Sequence, residues 1–562
     1  MSRRSAPQSE PLADFTATRR MVPISILALV IGGIAAFVAL ALLRLIDLFT
    51  NLFYFQRASF EPASPAHHTL GPWSVIVPIG GALLIGLMAR FGSERIRGHG
   101  IPEALEAILF NKSRIDPKIA LLKPVSSAIS IGSGGPFGSE GPIIMTGGAI
   151  GSIVAQLFSL TSAERKTLLV AGAAAGMSAT FSSPIAAILI AVELLLFEYK
   201  PRSFVPVALA SAVAAVTRHF ILGPGPLFPL PAHPEFAGVV PLAGCALAGL
   251  AAGIASMGLT FAVYKAEDAF KRLRLHWMWW PAIGGAVIGV GGLVCPEALG
   301  VGYASIDSLL HEGMVWRSLA LLVVIKATIW SISLGSGTSG GVLAPLLMIG
   351  AALGAALAHV LPSPGVGFWP LVTMGAMLGG TMRSPLTGIV FSIELTHDMA
   401  MLLPLVIAVT VAHAFTVLML DRSILTEKVA RRDLHVSREY AIDALELLFV
   451  KDVMSVSGDA IGGPVPEGAH TIRTNESLRF AVHRMAALGV AELVVVAPAA
   501  PTTMAGRLVL QDALKARTQQ LDQEHVQERV LEWERMIPKP LRGSLLARRL
   551  LSSAEARARE GR

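Results

Sequence analysis

Apolar residues run along this chain in long blocks, without the period-2 alternation of strands or the narrow stripe of a water-facing helix. Blocks at 22–43, 73–90, 143–160, 205–222, 239–262, 279–295, 317–334, 343–361 and 402–420 approach or exceed the length a helix needs to cross a bilayer, about 20 residues. Together they fill roughly residues 21–420, and the flanking sequence is polar and rich in Arg and Glu. The pattern predicts an all-α polytopic membrane protein with a short polar tail at 1–20 and a soluble region after the last block. The first block, Val22 to Leu43, is long for a signal peptide and no small-residue cleavage site follows it, so it is expected to remain as a span.

Composition agrees. With 53% hydrophobic and 15% charged residues, most of the chain lacks the charge to coat a soluble body. The basic residues sit at the ends of the apolar region: Arg3, Arg4, Arg19 and Arg20 before it, Arg422, Lys428, Arg431 and Arg432 after it. Positive loops stay inside, so both termini are expected to be cytoplasmic in a multi-pass protein of the cell (inner or plasma) membrane. The net charge of +7 then reflects topology rather than a nucleic-acid partner. Cys245 and Cys295 lie in apolar sequence and point to neither a disulfide framework nor a metal site.

The apolar region resembles itself. Gly132–Gly151, GSGGPFGSEGPIIMTGGAIG, aligns without a gap to Gly335–Gly354, GSGTSGGVLAPLLMIGAALG, at an offset of 203. Ser183–Leu194, SPIAAILIAVEL, aligns to Ser384–Leu395, SPLTGIVFSIEL, at an offset of 201. Kept order and spacing indicate duplicated halves, about 21–225 and 238–420, a common plan of transporters and channels. In each half a Gly-rich stretch breaks the apolar sequence just before a helical pattern that opens near Pro142 or Pro345. Irregular backbone at membrane depth survives only where protein buries it or it lines a wet cavity. Free N–H groups at such helix starts favour an anion. Gly138, Gly141 and Gly341 are read as binding-loop residues, and the four-spaced Gly147, Gly151, Gly350 and Gly354 as packing residues.

Three loops resemble those of the CLC chloride channel and chloride–proton antiporter family. Gly98-His99-Gly100-Ile101-Pro102 looks like its GSGIP element, Gly138-Ser139-Glu140-Gly141-Pro142 like GREGP, and Gly341-Val342-Leu343-Ala344-Pro345 like GxFxP. The resemblance covers roughly residues 20–435. It implies an inverted repeat with broken helices, a homodimer in the lipid membrane, and one pathway per subunit for chloride or a similar small anion. The dimer contact would fall around residues 168–194 and 372–395. The amides of Gly100, Ile101, Val342 and Leu343 would line the anion site together with His99, and Leu343 replaces the family Phe without losing its N–H. Glu140 would be the gate, its carboxylate mimicking an anion; the alternative is a carboxylate that caps a helix. Lys123 would support the site electrostatically, or else snorkel at the membrane interface. Glu193 and Glu394, repeat partners, read as packing or hydrogen-bonding residues.

Four positions depart from the family. The Ser that contacts the central anion is His99, the Arg of GREGP is Ser139, and the Tyr of the inner gate is Leu425. At the proton-relay position, after Glu193, stands Leu194, which cannot carry a proton. The expected function is therefore passive or weakly proton-coupled chloride transport gated by Glu140, with little uphill proton movement. A chloride/proton antiporter is the alternative, and a non-conducting membrane sensor is the alternative of another class. No nucleophile–base set, HExxH or phosphate loop argues for an enzyme, and no metal or cofactor is expected.

After the membrane region, 448–520 reads as a small α/β cytoplasmic domain. Asn475–Gly489 has helical periodicity, Ala491–Ala497 is a short strand, and Gly506–Asp512 leads into a helix. It resembles a shortened CBS module, with Lys451-Asp452-Val453-Met454 at its start. Val509 stands three residues before Asp512, where adenosine-binding modules carry Ser or Thr, which argues against nucleotide binding. Residues 521–562 read as a charged helical tail.

Overall fold

In a computed structural model the chain divides into two compact units, Phe15–Glu439 and Tyr440–Arg562 with Met1–Asp14. Residues 19–111, 113–235, 238–311, 314–432, 445, 448–456 and 462–516 are described. Arg3, Arg4 and the charged tail expected at 521–562 lie outside them.

The larger unit is helical. Its first half holds α1 (Met21–Phe55), α2 (Ile76–Phe91), α3 (Ile101–Leu109), α4 (Pro117–Gly132), α5 (Glu140–Gln156), α6 (Ser162–Phe181), α7 (Pro184–Ile190) and α8 (Pro201–Ile221). The second holds α9 (Val239–Lys271), α10 (Trp280–Val294), α11 (Tyr303–His311), α12 (Trp316–Gly335), α13 (Leu343–Leu357), α14 (Phe368–Met382), α15 (Pro385–Thr396) and α16 (Leu402–Met419), and α17 (Ile424–Ala430) follows. Each helix of the first half thus has a counterpart eight places on. The local chemistry is consistent with these starts. Pro stands in the first turn of α3, α4, α7, α8 and α15, where no N–H is needed. Asp116 accepts from Lys118 N at 2.9 Å to cap α4, and Thr161 and Glu164 form a capping box on α6.

Among the described residues, seven helices are long and apolar enough to cross a membrane: those within Met21–Phe55, Gly71–Phe91, Pro201–Ile221, Val239–Lys271, Trp277–Val294, Trp316–Gly335 and Met399–Ala430. Side chains such as Phe220, 81% exposed, and Leu418, 77% exposed, project from them, a surface suited to hydrocarbon. The chain is a multi-pass membrane protein of inverted-repeat architecture. Helices α4, α6, α7, α14 and α15 were not among the expected spans. Charged residues such as Lys123 and Glu164 interrupt α4 and α6, and α7, α14 and α15 are short.

Both halves pack alike: α5 on α6 as α13 on α14, and α6 on α8 as α14 on α16. At the first pair of contacts backbones touch. A Cβ on Gly147 or Gly151 would strike the carbonyls of Gly172 or Leu168, and one on Gly350 or Gly354 those of Thr373 or Trp369. The halves meet at their own equivalents. Gly341 N donates to the Gly138 carbonyl at 2.8 Å and Gly138 N to the Gly341 carbonyl at 3.3 Å, an antiparallel pair between residues 203 apart. Equivalent residues exchanging bonds place a local two-fold axis between them.

The smaller unit contains a short helix, α18 (Val450–Val453), then β1 (Thr471–Arg473), α19 (Leu478–Leu488), β2 (Glu492–Ala497) and β3 (Ala500–Val509), with a helical turn over 510–516. β1 pairs parallel to β2 (Thr471 with Val494), and β2 antiparallel to β3 (Leu493 with Leu508). Ser477 caps α19 by accepting from Phe480 N at 3.2 Å, and Gly489 ends it at φ 70°. Val450, Ile472, Leu478, Met485, Val495 and Leu508 form part of its core.

Candidate functional site

Three interruptions of the helical pattern converge on the two-fold axis. The loops before α5 and α13 carry the Gly138–Gly341 pair, and the loop before α3 runs beside them. Glycine is required in that third loop: Gly98 and Gly100 sit at φ 82° and 87°, and a Cβ on Gly100 would collide with the Gly141 backbone. His99 presses its carbonyl against Gly141.

Glu140 opens α5 and is fully buried. Its Oε1 accepts from Ala344 N at 3.0 Å, in the first turn of α13, while Oε2 is buried without a partner. A Cβ on Gly341 would lie 2.5 Å from that Oε2. The carboxylate therefore occupies a backbone cradle at the start of a helix from the opposite half, where an N–H group and the dipole both favour negative charge. The amide that holds it is that of Ala344, one position beyond the expected Val342 and Leu343, both of which are fully buried beside it in the chain.

Gly100 departs from expectation. Its N–H donates to Glu103 Oε2 at 3.0 Å, so it is committed within the chain and is not a free donor for an anion. The physical reason is a capping box: Glu103 lies three residues into α3 and reaches back to the N-cap. Ile101, next along, is fully buried. His99 is 4% exposed, and its Nδ1 is buried without a hydrogen-bond partner.

Lys123 does not snorkel. It is fully buried on α4, and Nζ donates to the carbonyls of Ile96 and Gly98, both at 2.8 Å, and to Ser339 Oγ at 3.0 Å. A single ammonium thus ties the loop before α3 to the second half. Its repeat partner is Lys326, whose Nζ donates to the carbonyls of Ala298 and Gly300, both at 2.9 Å. Gly300-Val301-Gly302 is then the counterpart of Gly98-His99-Gly100, with Tyr303 matching Ile101. The Tyr303 hydroxyl lies 3.4 Å from Ser139 Oγ, next to Glu140 in sequence.

Leu425 is buried on α17, which packs on α3. A hydroxyl does approach this region, but from α9: Tyr264 donates to the Ile424 carbonyl. Leu194 is buried in a widened π-helical turn, Ala191–Leu196, that continues α7 and also packs on α3. Glu193, in the same turn, accepts from the backbone N–H of Leu386 and Thr387.

A cavity of about 490 Å3 opens beside the loop before α3; Arg97, Gly98, Glu103, Glu267, Lys428 and Arg432 are among its walls. Among its charges, Glu267 pairs with Lys428 at 3.0 Å and Glu103 with Arg432 at 3.0 Å. A second cavity of about 700 Å3 is lined by Gly300, Gly302 and Tyr303, with Arg44, Asp47 and Arg218. The inverted repeat puts these two beside counterpart loops, Gly98 at the first and Gly300 and Gly302 at the second, on opposite faces. Between the halves lies a buried backbone cradle occupied by an acidic side chain.

The family model for voltage gated chloride channels matches residues 80–417. A putative chloride channel protein, ClcB-like, of Ralstonia nicotianae is 31% identical over 349 residues, 60% of this chain and 81% of that protein. The H(+)/Cl(−) exchange transporter ClcA of Vibrio campbellii is 31% identical over 355 residues, 60% of this chain and 75% of its own. Among solved structures, a slow cyanobacterial Cl−/H+ antiporter superposes with a TM-score of 0.65 at 22% identity, covering 74% of this chain and 98% of its own. A eukaryotic CLC transporter superposes with a TM-score of 0.60 at 17% identity, covering 88% and 98%.

Proposed function

This chain belongs to the voltage-gated chloride channel family, and from that premise we propose that it carries chloride across a cell membrane through a pathway gated by Glu140. The observation that carries the reading is the Glu140 carboxylate held by Ala344 N in the backbone cradle between the halves. A chloride ion competes for the same place, since both are anions of similar demand. When Glu140 is protonated or displaced, its claim on the cradle lapses and the ion enters. Ile101, Val342 and Leu343 are the further amides proposed to meet the ion, with His99 beside them and Lys123 as the fixed positive charge.

On this reading the transport unit is 21–435, embedded in lipid, and the 490 Å3 cavity faces the cytoplasm. Arg95, Arg97, Lys271, Lys428, Arg431 and Arg432 around that cavity support the orientation, as the positive-inside tendency would have it. A homodimer through the regions 168–194 and 372–395 is supported by the repeat partners Ile185 and Leu386, apolar yet 56% and 55% exposed. Leu425 leaves the inner gate apolar. The region 448–520 is proposed as a shortened CBS-like regulatory module, supported by its strand–helix–strand–strand order.

The test is chloride efflux from liposomes carrying the purified protein. Flux above that of empty vesicles, raised when Glu140 is replaced by Ala, is the expected result. Efflux equal to that of empty vesicles refutes the proposal. A proton-exchange reading is supported by the similar proteins named H(+)/Cl(−) exchange transporters.

A further inference from the structure

The starts of α1, α6 and α8 meet at one corner of the larger unit, and basic residues crowd there. Arg19 and Arg20 precede α1, Arg165 and Lys166 lie in the first turns of α6, and Lys200 and Arg202 flank the first residue of α8. Two carboxylates stand among them, Glu164 and Glu198. Glu164 pairs with Arg20 at 2.7 Å and accepts from Thr161 N in the α6 capping box. Glu198 accepts from Ser203 Oγ at 3.0 Å and is shared by Lys166, Lys200 and Arg202 at 3.9, 3.7 and 3.8 Å. One carboxylate thus faces three cations, none in close contact, and the corner keeps an excess of positive charge.

A cavity of about 250 Å3 opens at this corner, with Arg20, Arg202 and Glu164 among its polar walls and Met21 and Ile24 among its apolar ones. It lies at the level where headgroups meet hydrocarbon. The apolar spans begin at Met21 and Pro201. Val22 and Ile26, 59% and 57% exposed, open the lipid-facing surface of α1, and Tyr199, also exposed, stacks near Phe204 as an interfacial aromatic does. Arg44, which lines the 700 Å3 cavity, is 24 residues further along α1, or about 36 Å of helix. The corner is therefore on the opposite face from that cavity, the face read above as cytoplasmic.

We propose that this corner binds an anionic phospholipid of the cytoplasmic leaflet, with its phosphate between Arg20 and Arg202 and its acyl chains beside Met21 and the exposed apolar side chains of α1. Guanidinium groups match phosphate oxygens in charge and geometry. A headgroup such as phosphatidylglycerol carries net negative charge, which answers the unbalanced cations. A choline or ethanolamine head carries an ammonium as well, and so brings positive charge into a corner that already has too much. Basic pockets between spans on the cytoplasmic side suit such anionic heads. The three helices that meet here pack on one another, α1 on α6, α6 on α8 and α1 on α8. A lipid that binds their joined starts favours the folded first half by mass action.

The test is native mass spectrometry of the full chain in detergent, titrated with dioleoyl phosphatidylglycerol or dioleoyl phosphatidylcholine. The wild type is expected to bind phosphatidylglycerol about tenfold or more tighter than phosphatidylcholine. Arg20→Gln combined with Arg202→Gln is expected to lose that preference. Arg272→Gln combined with Arg274→Gln, which removes two exposed charges beyond the end of α9, is expected to keep it. A second measurement needs no variant, so it stands even where a substitution impairs folding. Phosphatidylglycerol with a photoreactive diazirine near the glycerol end of its chains is expected to label wild type within Met21–Leu27 or Tyr199–Pro206. No preference in wild type, a preference retained in the Arg20/Arg202 variant, equal loss in both variants, or labels confined to other segments overturns the proposal. Glycerol 3-phosphate or inorganic phosphate raising the thermal midpoint as much as phosphatidylglycerol does at the same concentration would make this a free-phosphate site and overturn the lipid assignment.

Discussion

Glu193 and Glu394 each close the N-terminus of the helix that carries, or leads into, the other. Glu193 accepts from Leu386 N at 3.2 Å, Thr387 N at 2.9 Å and Thr387 Oγ1 at 2.7 Å, at the start of α15. Glu394, on α15, accepts from Ile185 N at 2.9 Å and Ala186 N at 2.7 Å, at the start of α7. The two-fold axis maps one set of bonds onto the other. Two carboxylates in apolar sequence thus meet the positive ends of two helices, and neither is free to relay protons.

Removing either carboxylate orphans backbone N–H groups at a helix start. Glu193→Ala and Glu394→Ala are each expected to lower stability by about 0.5–2 kcal/mol, the usual range for a lost cap. The thermal midpoint of the detergent-solubilised protein, followed by size exclusion, is the measurement. Midpoints unchanged in both variants would remove the capping role.

Glu140 competes with chloride only while it is charged. Lowering the pH neutralises it, so flux through the wild type is expected to rise as pH falls. Glu140→Ala removes both the competitor and the titration, so its flux is expected to be faster and nearly flat across pH 4–8, which brackets the ordinary Glu value of about 4.3. Equal rates and equal pH dependence in the two proteins would show that the gate lies elsewhere.

Much of this site was legible in the chain because duplication leaves a constant offset. Gly138 and Gly341 are 203 apart and bond to each other. Lys326 and Gly300-Val301-Gly302 carry the same offset signal, 203 and 202, yet lie before the strongest run of identities and so went unread. Gly100 to Glu103 has the spacing of a capping box, which commits the Gly100 N–H; that too is readable from sequence. The choice of Ala344 over Val342 or Leu343 is not. It depends on how α5 and α13 approach across the axis, a tertiary fact with no local signature. The same holds for Lys123, where burial and snorkelling have the same sequence.

His99 occupies a position where the family places a hydroxyl. A ring donor is larger than a serine hydroxyl and carries charge when protonated, so it ranks anions differently. His99→Ser is expected to alter permeability ratios among chloride, bromide and nitrate while the protein stays folded. Ratios identical to wild type, measured by anion efflux from liposomes, would put the ring off the pathway.

Lys123 and Lys326 allow structure and function to be separated, because the fold uses the same bond twice. Each ammonium is fully buried and holds the first carbonyl of a Gly-x-Gly loop and the carbonyl two residues before it. Replacing either with Met removes the charged donor from those carbonyls, and bonds to a charged group are worth about 1.5–3 kcal/mol each. Both variants are therefore expected to unfold at lower temperature than wild type. Only Lys123, however, reaches across to Ser339 of the second half and stands beside the loop of His99. Its charge is fixed near the proposed anion site, whereas the Lys326 loop borders the opposite cavity. Lys123→Met is expected to weaken chloride binding by about tenfold or more, equivalent to 1.4 kcal/mol, while Lys326→Met leaves affinity within error of wild type. Isothermal titration of the detergent-solubilised protein with chloride reads this directly, and thermal midpoints on the same samples show whether both variants are folded. Equal loss of affinity in the two would mean that the ammonium groups act only through stability. No loss in Lys123→Met would remove Lys123 from the site.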